Sequence, residues 1–241
     1  SSTTVVLLGG SGLGPWAWER VTPLLEARGF DVVLPQLRST GDDPTSATEV
    51  TLSDWAEDLL GALEASNLDN TVLVAHSFAG YVAAAALERN PRIVRRAIFL
   101  DAALPAPNRS WFDVMGPQTK AFMSSLAVES AIPFFTLEQL DQIYPGHGIS
   151  RDDWEWMGAH IAAQPIRTYA QPAITREIDP EKTHLDYVRC VRTTPPVADI
   201  ADTTRGWAFR TLATGPWPMI TAPALPAAAT DELATPCPHP S

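Results

Sequence analysis

The stretch Val74-Ala75-His76-Ser77-Phe78-Ala79-Gly80 lies between two segments whose compositions predict different secondary structures. Its first two residues are the last two of the apolar, β-branched run 71–75, which is typical of a buried strand. It precedes the alanine-rich run 81–89, which favours a helix that ends at Asn90-Pro91. The stretch therefore joins a buried strand to a helix through a turn that contains a serine.

The same alternation of strands and helices continues in both directions. Further strand-like runs occupy 4–8, 31–35, 93–100, 185–191 and 207–213. Apolar residues fall at helical spacing between Trp18 and Arg28, and another helix is expected around 197–203. Strands that alternate with helices predict an α/β protein with a mostly parallel sheet covered by helices on both faces.

The segment 105–180 interrupts this alternation, because it is rich in proline and aromatic residues and contains no clear buried strand. It is interpreted as a helical cap inserted into a single α/β core, which comprises 1–104 and 181–230. The remaining residues, 231–241, are expected to form a proline-rich tail that does not pack as a helix.

Composition limits the classes of partner. The chain has 241 residues, with 17 Lys plus Arg against 28 Asp plus Glu and a net charge of −11, which opposes binding to nucleic acid or anionic lipid. No membrane anchor or signal peptide is evident, and two cysteines are too few for a disulfide framework. We therefore expect a cytoplasmic protein that binds neither nucleic acid nor membrane, and no metal or other cofactor is expected; its oligomeric state is open.

A glycine-rich loop, Gly9 to Trp18, follows the first strand. A phosphate-binding function is disfavoured, because the loop lacks a Gly-Lys-Ser/Thr ending and no acidic residue is placed to bind a ribose. An oxyanion hole built from the backbone N–H groups of Ser11 and Phe78 fits better. A tight turn that needs glycine for backbone reasons alone is the simpler alternative.

Three stretches resemble α/β-hydrolases of the methylesterase and hydroxynitrile-lyase-like branch: the loop 10–18, the turn 75–80 and the segment 99–105. Weaker similarity returns at 187–190 and 215–219. The resemblance implies an α/β-hydrolase fold with a helical cap, and a nucleophile elbow that carries Ser77. Such an elbow is a strained turn flanked by small residues, and Ala75 and Ala79 stand where glycines are usual.

The resemblance also implies a histidine base and an aspartate, and both are missing from their usual positions. Pro216 stands where the histidine is expected, and no aspartate is found near Thr193. Asp101, at the end of the neighbouring strand, is a candidate replacement for the carboxylate. Alternatively, Asp101 organises its loop by accepting hydrogen bonds from nearby backbone.

A replacement base has to come from one of five histidines. His160, on a helical cap segment, is the first candidate, facing either the pocket or solvent. His76 directly precedes the nucleophile and is expected to point away from it. His147 lies on a glycine-flanked loop, His184 at the far end of its strand and His239 in the tail, so these three are weaker candidates.

Three functions remain open on this basis. The first is serine-dependent hydrolysis or acyl transfer on a small apolar ester, thioester or lactone, with Ser77, Asp101 and His160 as catalytic residues. The second is a lyase, cyclase or isomerase reaction that uses the oxyanion hole and Asp101. The third is a catalytically silent binding protein. Four residues are predicted to contact the substrate: Gly10, Leu13, Trp111 and Trp217.

Overall fold

A computed structural model describes residues 2–66, 68–198 and 204–235 of the chain. Its strands are β1 (Thr4–Leu8), β2 (Asp31–Val33), β3 (Thr71–His76), β4 (Arg96–Leu100), β5 (Ala131–Ile132), β6 (Gln164–Pro165), β7 (His184–Cys190) and β8 (Ala208–Leu212). Six of them form one parallel sheet in the order β2-β1-β3-β4-β7-β8. This confirms the predicted α/β architecture with a mostly parallel sheet.

The helices are α1 (Thr22–Glu26), α2 (Leu52–Glu64), α3 (Ala79–Arg89), α4 (Trp111–Met115), α5 (Pro117–Leu126), α6 (Leu137–Ile143), α7 (Arg151–Gly158), α8 (Ile166–Ala170), α9 (Pro218–Thr221) and α10 (Ala224–Ala234). Helices α2 and α3 pack on one face of the sheet, and α1 and α10 pack on the other. In the part of the chain that the structure describes, no helix is long and apolar enough to cross a bilayer.

Strand β3 shows why the central strands are apolar at every position. Val72 and Val74 pack into the core layer on the α1 side, whereas Leu73 and Ala75 pack into the layer on the α2 and α3 side. Successive side chains of a strand point to opposite faces, so a strand covered on both faces needs a continuous apolar run. The carboxyl end of β3 therefore delivers His76 and Ser77 to the edge of the sheet where the cap lies.

The segment 105–180, predicted as a helical cap, contains α4 to α8 and also the antiparallel pair β5–β6. Two-residue strands are too short to produce a period in the sequence, which explains why none was predicted. Several other boundaries also differ from prediction. The helix expected between the first two strands is a 3₁₀ turn, Pro15–Trp18, followed by the short α1. Helix α10 ends at Ala234, so four residues of the predicted tail 231–241 are helical.

Candidate active site

Ser77 lies on the turn between β3 and α3, with a backbone φ of +54°. A non-glycine residue in this left-handed region is uncommon, and it is held here by three hydrogen bonds. The Ser77 N–H donates to the Leu100 carbonyl at 3.1 Å, and the Ser77 carbonyl accepts from Gly80 and Ala103 at 3.0 and 2.9 Å. A Cβ atom at Gly80 would lie only 2.1 Å from the Ala103 carbonyl oxygen. The small side chains of the turn therefore allow α3 to pack directly on the loop after β4.

The glycine-rich loop approaches this turn closely. A Cβ atom at Gly10 would lie 2.8 Å from the Ser77 Cβ atom, so the approach requires glycine. Among the described residues, the backbone N–H groups of Ser11 and Phe78 have no hydrogen-bond acceptor, and both residues line the cavity that Ser77 faces. Two unpaired donors beside a serine are suited to bind the oxygen of a carbonyl group. The assignment of an oxyanion hole remains a prediction.

The cavity has a volume of about 330 Å³ and lies between the sheet edge and the cap. Its polar side chains are those of Ser11, Ser77, Thr119, Tyr144, Gln164 and Tyr169. Most of its other lining residues are aromatic or aliphatic, and they include Trp111 and Trp217, whose contact with substrate stays a prediction. The described residues of the wall include no histidine, cysteine, carboxylate, lysine or arginine.

Two residues predicted to contact substrate are absent from this wall. Gly10 lies behind Ser77, and Leu13 is buried in the core with Trp18 and Val21. The sequence located the glycine-rich loop correctly but could not show which of its residues turn away from the cavity.

The cap is hydrogen-bonded to the glycine-rich loop by residues that the sequence did not indicate. The hydroxyls of Tyr169 and Ser11 are 2.6 Å apart, and Gln164 Oε1 accepts a bond from the Gly12 N–H at 3.3 Å. The Ala162 N–H donates to the Gly12 carbonyl at 3.1 Å. These contacts place a polar edge of the cap beside the predicted oxyanion hole.

His76 uses both of its ring nitrogens to connect two loops. Its Nδ1 atom accepts a hydrogen bond from the Gly10 N–H at 3.1 Å, and its Nε2–H donates to the Pro216 carbonyl oxygen at 2.6 Å. Burial lowers the pKa of His76 from 6.5 to about 4, so the ring is neutral near pH 7. With both nitrogens engaged, His76 cannot take the proton of Ser77.

Asp101 is buried and does not line the cavity. One carboxylate oxygen accepts from the Cys190 N–H at 3.1 Å, and the other accepts from the Thr193 hydroxyl at 2.6 Å. Burial raises the pKa of Asp101, and these two hydrogen bonds oppose that rise. The structure therefore supports the loop-organising alternative for Asp101, in place of the predicted catalytic role, because its oxygens bind the end of β7 and the loop that follows.

Comparison with known proteins identifies the family. A model described as the alpha/beta hydrolase family matches residues 5–235. The chain belongs to the alpha/beta hydrolase family.

Two curated relatives of this alpha/beta hydrolase come from plants. Polyneuridine aldehyde esterase of Rauvolfia serpentina is 36% identical over 107 residues, which are 44% of this chain and 40% of that protein. Methylesterase 1 of Arabidopsis thaliana is 40% identical over 108 residues, which are 44% of this chain and 41% of that protein. Each alignment thus spans about two fifths of the relative's length. The matches agree with the predicted similarity to the methylesterase branch.

Solved structures share the fold over nearly the whole chain. An extracellular α/β-hydrolase from a Paenibacillus species superposes with a TM-score of 0.83 at 16% identity, covering 95% of this chain and 98% of that chain. Polyneuridine aldehyde esterase superposes with a TM-score of 0.74 at 19% identity, covering 98% and 100%. At such identities the likeness concerns the fold.

Within this alpha/beta hydrolase, the structure does not bring His160 to the cavity. His160 is exposed at the end of α7, where its ring stacks on Trp16 with centroids 5.6 Å apart. This placement corrects the prediction of His160 as the base, because its ring stacks on Trp16 and it is not among the described residues of the cavity wall. No group of three His, Cys, Asp or Glu side chains in the described residues could hold a metal ion.

The remaining histidines are placed elsewhere. His147 Nε2 is 2.7 Å from an Asp141 carboxylate oxygen, and its Nδ1 accepts from the Ile149 N–H at 2.8 Å. The His147 carbonyl oxygen would lie 2.7 Å from a Cβ atom at Gly215, so its loop packs on the segment that precedes Pro216. His184 is half-exposed at the start of β7, and His239 lies outside the described residues.

Proposed function

We propose that this alpha/beta hydrolase acts on a small, uncharged and largely apolar ester or related carbonyl compound. In this proposal the carbonyl oxygen binds to the N–H groups of Ser11 and Phe78, and the carbonyl carbon faces the hydroxyl of Ser77. The observation that carries it is the serine at φ +54° beside two unpaired N–H donors, all facing one cavity. The esterase and methylesterase relatives support ester hydrolysis as the class of reaction.

The cavity wall supports an uncharged substrate. A carboxylate or ammonium ion moved from water into this cavity would lose its hydration without gaining a countercharge from the described wall residues. A carbonyl oxygen, in contrast, needs only hydrogen-bond donors, which the cavity offers. Its volume of about 330 Å³ is near the lower end of the range of ligand pockets, about 300–1,000 Å³, so the substrate is expected to be small.

Ester hydrolysis at this site would begin with attack of Ser77 Oγ on the carbonyl carbon. A new C–O bond forms, and the carbonyl electron pair moves onto the oxygen held by the two N–H groups. When that pair returns, the bond to the alkoxy group breaks and the alcohol leaves with the serine proton; water then attacks the acyl group, releases the acid and returns a proton to Ser77 Oγ. Because the described wall residues include no histidine to carry these protons, turnover is expected to be slow. Loss of a triad histidine commonly lowers kcat about a million-fold, while the oxyanion hole and binding retain about a thousandfold acceleration over water.

The lack of a base in the described wall favours a second candidate. A lyase, cyclase or isomerase could use the same donors to polarise a carbonyl group without any attack by Ser77. A protein that binds the carbonyl compound without converting it would have the same features. These alternatives differ from hydrolysis in whether the Ser77 hydroxyl reacts.

Labelling with a fluorophosphonate probe, followed by intact-mass measurement, tests the proposal. We expect slow addition of one probe to the native chain, none to Ser77→Ala and normal labelling of Ser125→Ala, which removes an exposed hydroxyl outside the cavity wall. Faster hydrolysis of p-nitrophenyl butyrate by the native chain than by Ser77→Ala would support hydrolysis.

Pro216→His separates the candidates further, because it restores an imidazole at the position where the family resemblance expects one. Labelling of Pro216→His but not of the native chain would favour the second candidate, since the elbow would then be competent but unused. Absence of labelling in both proteins would overturn the assignment of Ser77 as a nucleophile.

A further inference from the structure

The hydroxyls of Ser11 and Tyr169 form a pair at the edge of the cavity. Their oxygens are 2.6 Å apart, and both residues line the wall that Ser77 also lines. Ser11 comes from the glycine-rich loop, whereas Tyr169 comes from α8 of the cap. The pair is therefore formed only when cap and core are packed together.

The Tyr169 side chain is held firmly in place. It is buried, and its ring contacts Phe78, Trp111 and Phe112 with centroid separations of 4.8, 4.4 and 5.6 Å. Burial raises the pKa of the Tyr169 hydroxyl above its ordinary value, so the group keeps its hydrogen. The position of the phenol oxygen is thus fixed by packing that does not involve Ser11.

Counting hydrogens shows that one donor of the pair is free. The two hydroxyls carry two hydrogens, and their mutual bond uses one, whichever oxygen donates. Among the described residues, neither oxygen has a second hydrogen-bond partner. The remaining hydrogen is therefore free to donate a hydrogen bond to a molecule in the cavity.

We propose that the Ser11–Tyr169 pair supplies a third hydrogen-bond donor to the carbonyl group of the substrate, beside the N–H groups of Ser11 and Phe78. This inference rests on the proposed function, since it concerns the same carbonyl oxygen. Ser11 carries an N–H and a hydroxyl on one residue, so the third donor lies next to the predicted hole. The third donor shares the lone pairs of the carbonyl oxygen with the two N–H groups, so it strengthens the binding of the neutral carbonyl group as well as that of an oxyanion.

The pair also predicts an unusual pattern of mutational effects. Removal of one hydroxyl leaves the other with a free hydrogen, so Ser11→Ala and Tyr169→Phe should each weaken binding of benzylacetone by about threefold or less. Removal of both hydroxyls should weaken it by about tenfold, the effect of one lost hydrogen bond. Butylbenzene, which has the same carbon skeleton without the oxygen, should bind equally well to all variants.

Calorimetry of both ligands, with infrared spectra of bound benzylacetone carrying an isotope-labelled carbonyl group, tests this. The carbonyl stretch should move to higher frequency in the double variant, because a hydrogen bond to the oxygen is lost. Ser125→Ala is the matched control, because it removes an exposed hydroxyl outside the cavity wall. It should change neither the affinity nor the frequency.

Equal loss of benzylacetone and butylbenzene binding would overturn the proposal, because it would indicate that the pair only supports the packing of the cap. An unchanged carbonyl frequency in the double variant would overturn it as well. If Ser11→Ala/Tyr169→Phe does not fold, Ser11→Gly/Tyr169→Phe, which also removes both hydroxyls and keeps the ring, replaces it, and an unchanged carbonyl frequency in that variant overturns the proposal. Labelling of Ser77 by the fluorophosphonate probe tests the proposed function separately, because benzylacetone and butylbenzene bind without acylating Ser77.

Discussion

The buried imidazole of His76 should make the stability of the protein depend on pH, and His76→Gln should remove that part of the dependence. A glutamine side chain stays neutral, and its amide can accept a hydrogen bond from Gly10 and donate one to Pro216, as the imidazole does. The substitution therefore preserves the connection between the two loops while removing the group that titrates.

The magnitude follows from the pKa of the folded protein. Burial lowers the pKa of His76 from 6.5 to about 4, which corresponds to about 3 kcal/mol. The folded state disfavours the proton, so the contribution to stability is complete above pH 6.5. It is lost as the pH falls from 6.5 towards 4, because the unfolded chain then binds a proton that the folded chain does not. Between pH 6.5 and pH 4, each unit by which the pH is lowered should reduce the contribution of His76 to the free energy of unfolding by about 1.4 kcal/mol.

Urea denaturation at several pH values between 7.5 and 4.5 measures this slope. Other groups titrate in the same range, and the raised pKa of Asp101 acts in the opposite direction. They are common to both proteins, so the difference between the native chain and His76→Gln isolates His76. Ser125→Ala, at an exposed hydroxyl that does not titrate in this range, is the control and should keep the native slope. Parallel curves for the native chain and His76→Gln would refute the reasoning.

Two further substitutions test how the turn and the buried carboxylate are held. Gly80→Ala should lower the free energy of unfolding by about 3 kcal/mol, because the added Cβ would lie 2.1 Å from the Ala103 carbonyl oxygen. Gly61→Ala, on an open face of α2, is the control and should raise the free energy of unfolding by up to about 1 kcal/mol in the same denaturation assay. Asp101→Ala should lower the free energy of unfolding by about 3 kcal/mol, because it leaves the buried Cys190 N–H and the Thr193 hydroxyl without their partner. Asp101→Asn, which keeps an oxygen acceptor, should lower it by less. Equal decreases in both variants would contradict the hydrogen-bonding role of Asp101.

The parts of the fold that the sequence predicted are those determined by local pattern. Strand β3 and helix α3 are adjacent in the chain, and their apolar and alanine-rich runs are sufficient to locate the turn at Ser77. The positive φ of Ser77 agrees with the strained turn that the resemblance implies for this segment. Asp101 was also correctly located at a strand end, but the choice between catalysis and loop organisation depended on what its oxygens bind.

The parts that the sequence missed depend on contacts between distant segments. Ser11 and Tyr169 are 158 residues apart, and nothing in the sequence around Tyr169 marks it as a partner of the glycine-rich loop. The placement of His160 is equally hidden, because its stacking on Trp16 is a contact between cap and core that no local pattern marks. These contacts between cap and core are therefore accessible only from the structure.

The contacts that hold Ser77 and Gly10 do not depend on the side chain at position 216. Ser77 is fixed by backbone bonds to the loop after β4, and Gly10 is fixed by His76, which binds the carbonyl oxygen of Pro216 and not its side chain. None of these bonds requires a histidine at position 216. The proposed carbonyl-binding site therefore does not depend on a proton acceptor at position 216, and Pro216→His should change the reactivity of Ser77 without rebuilding the surrounding loops.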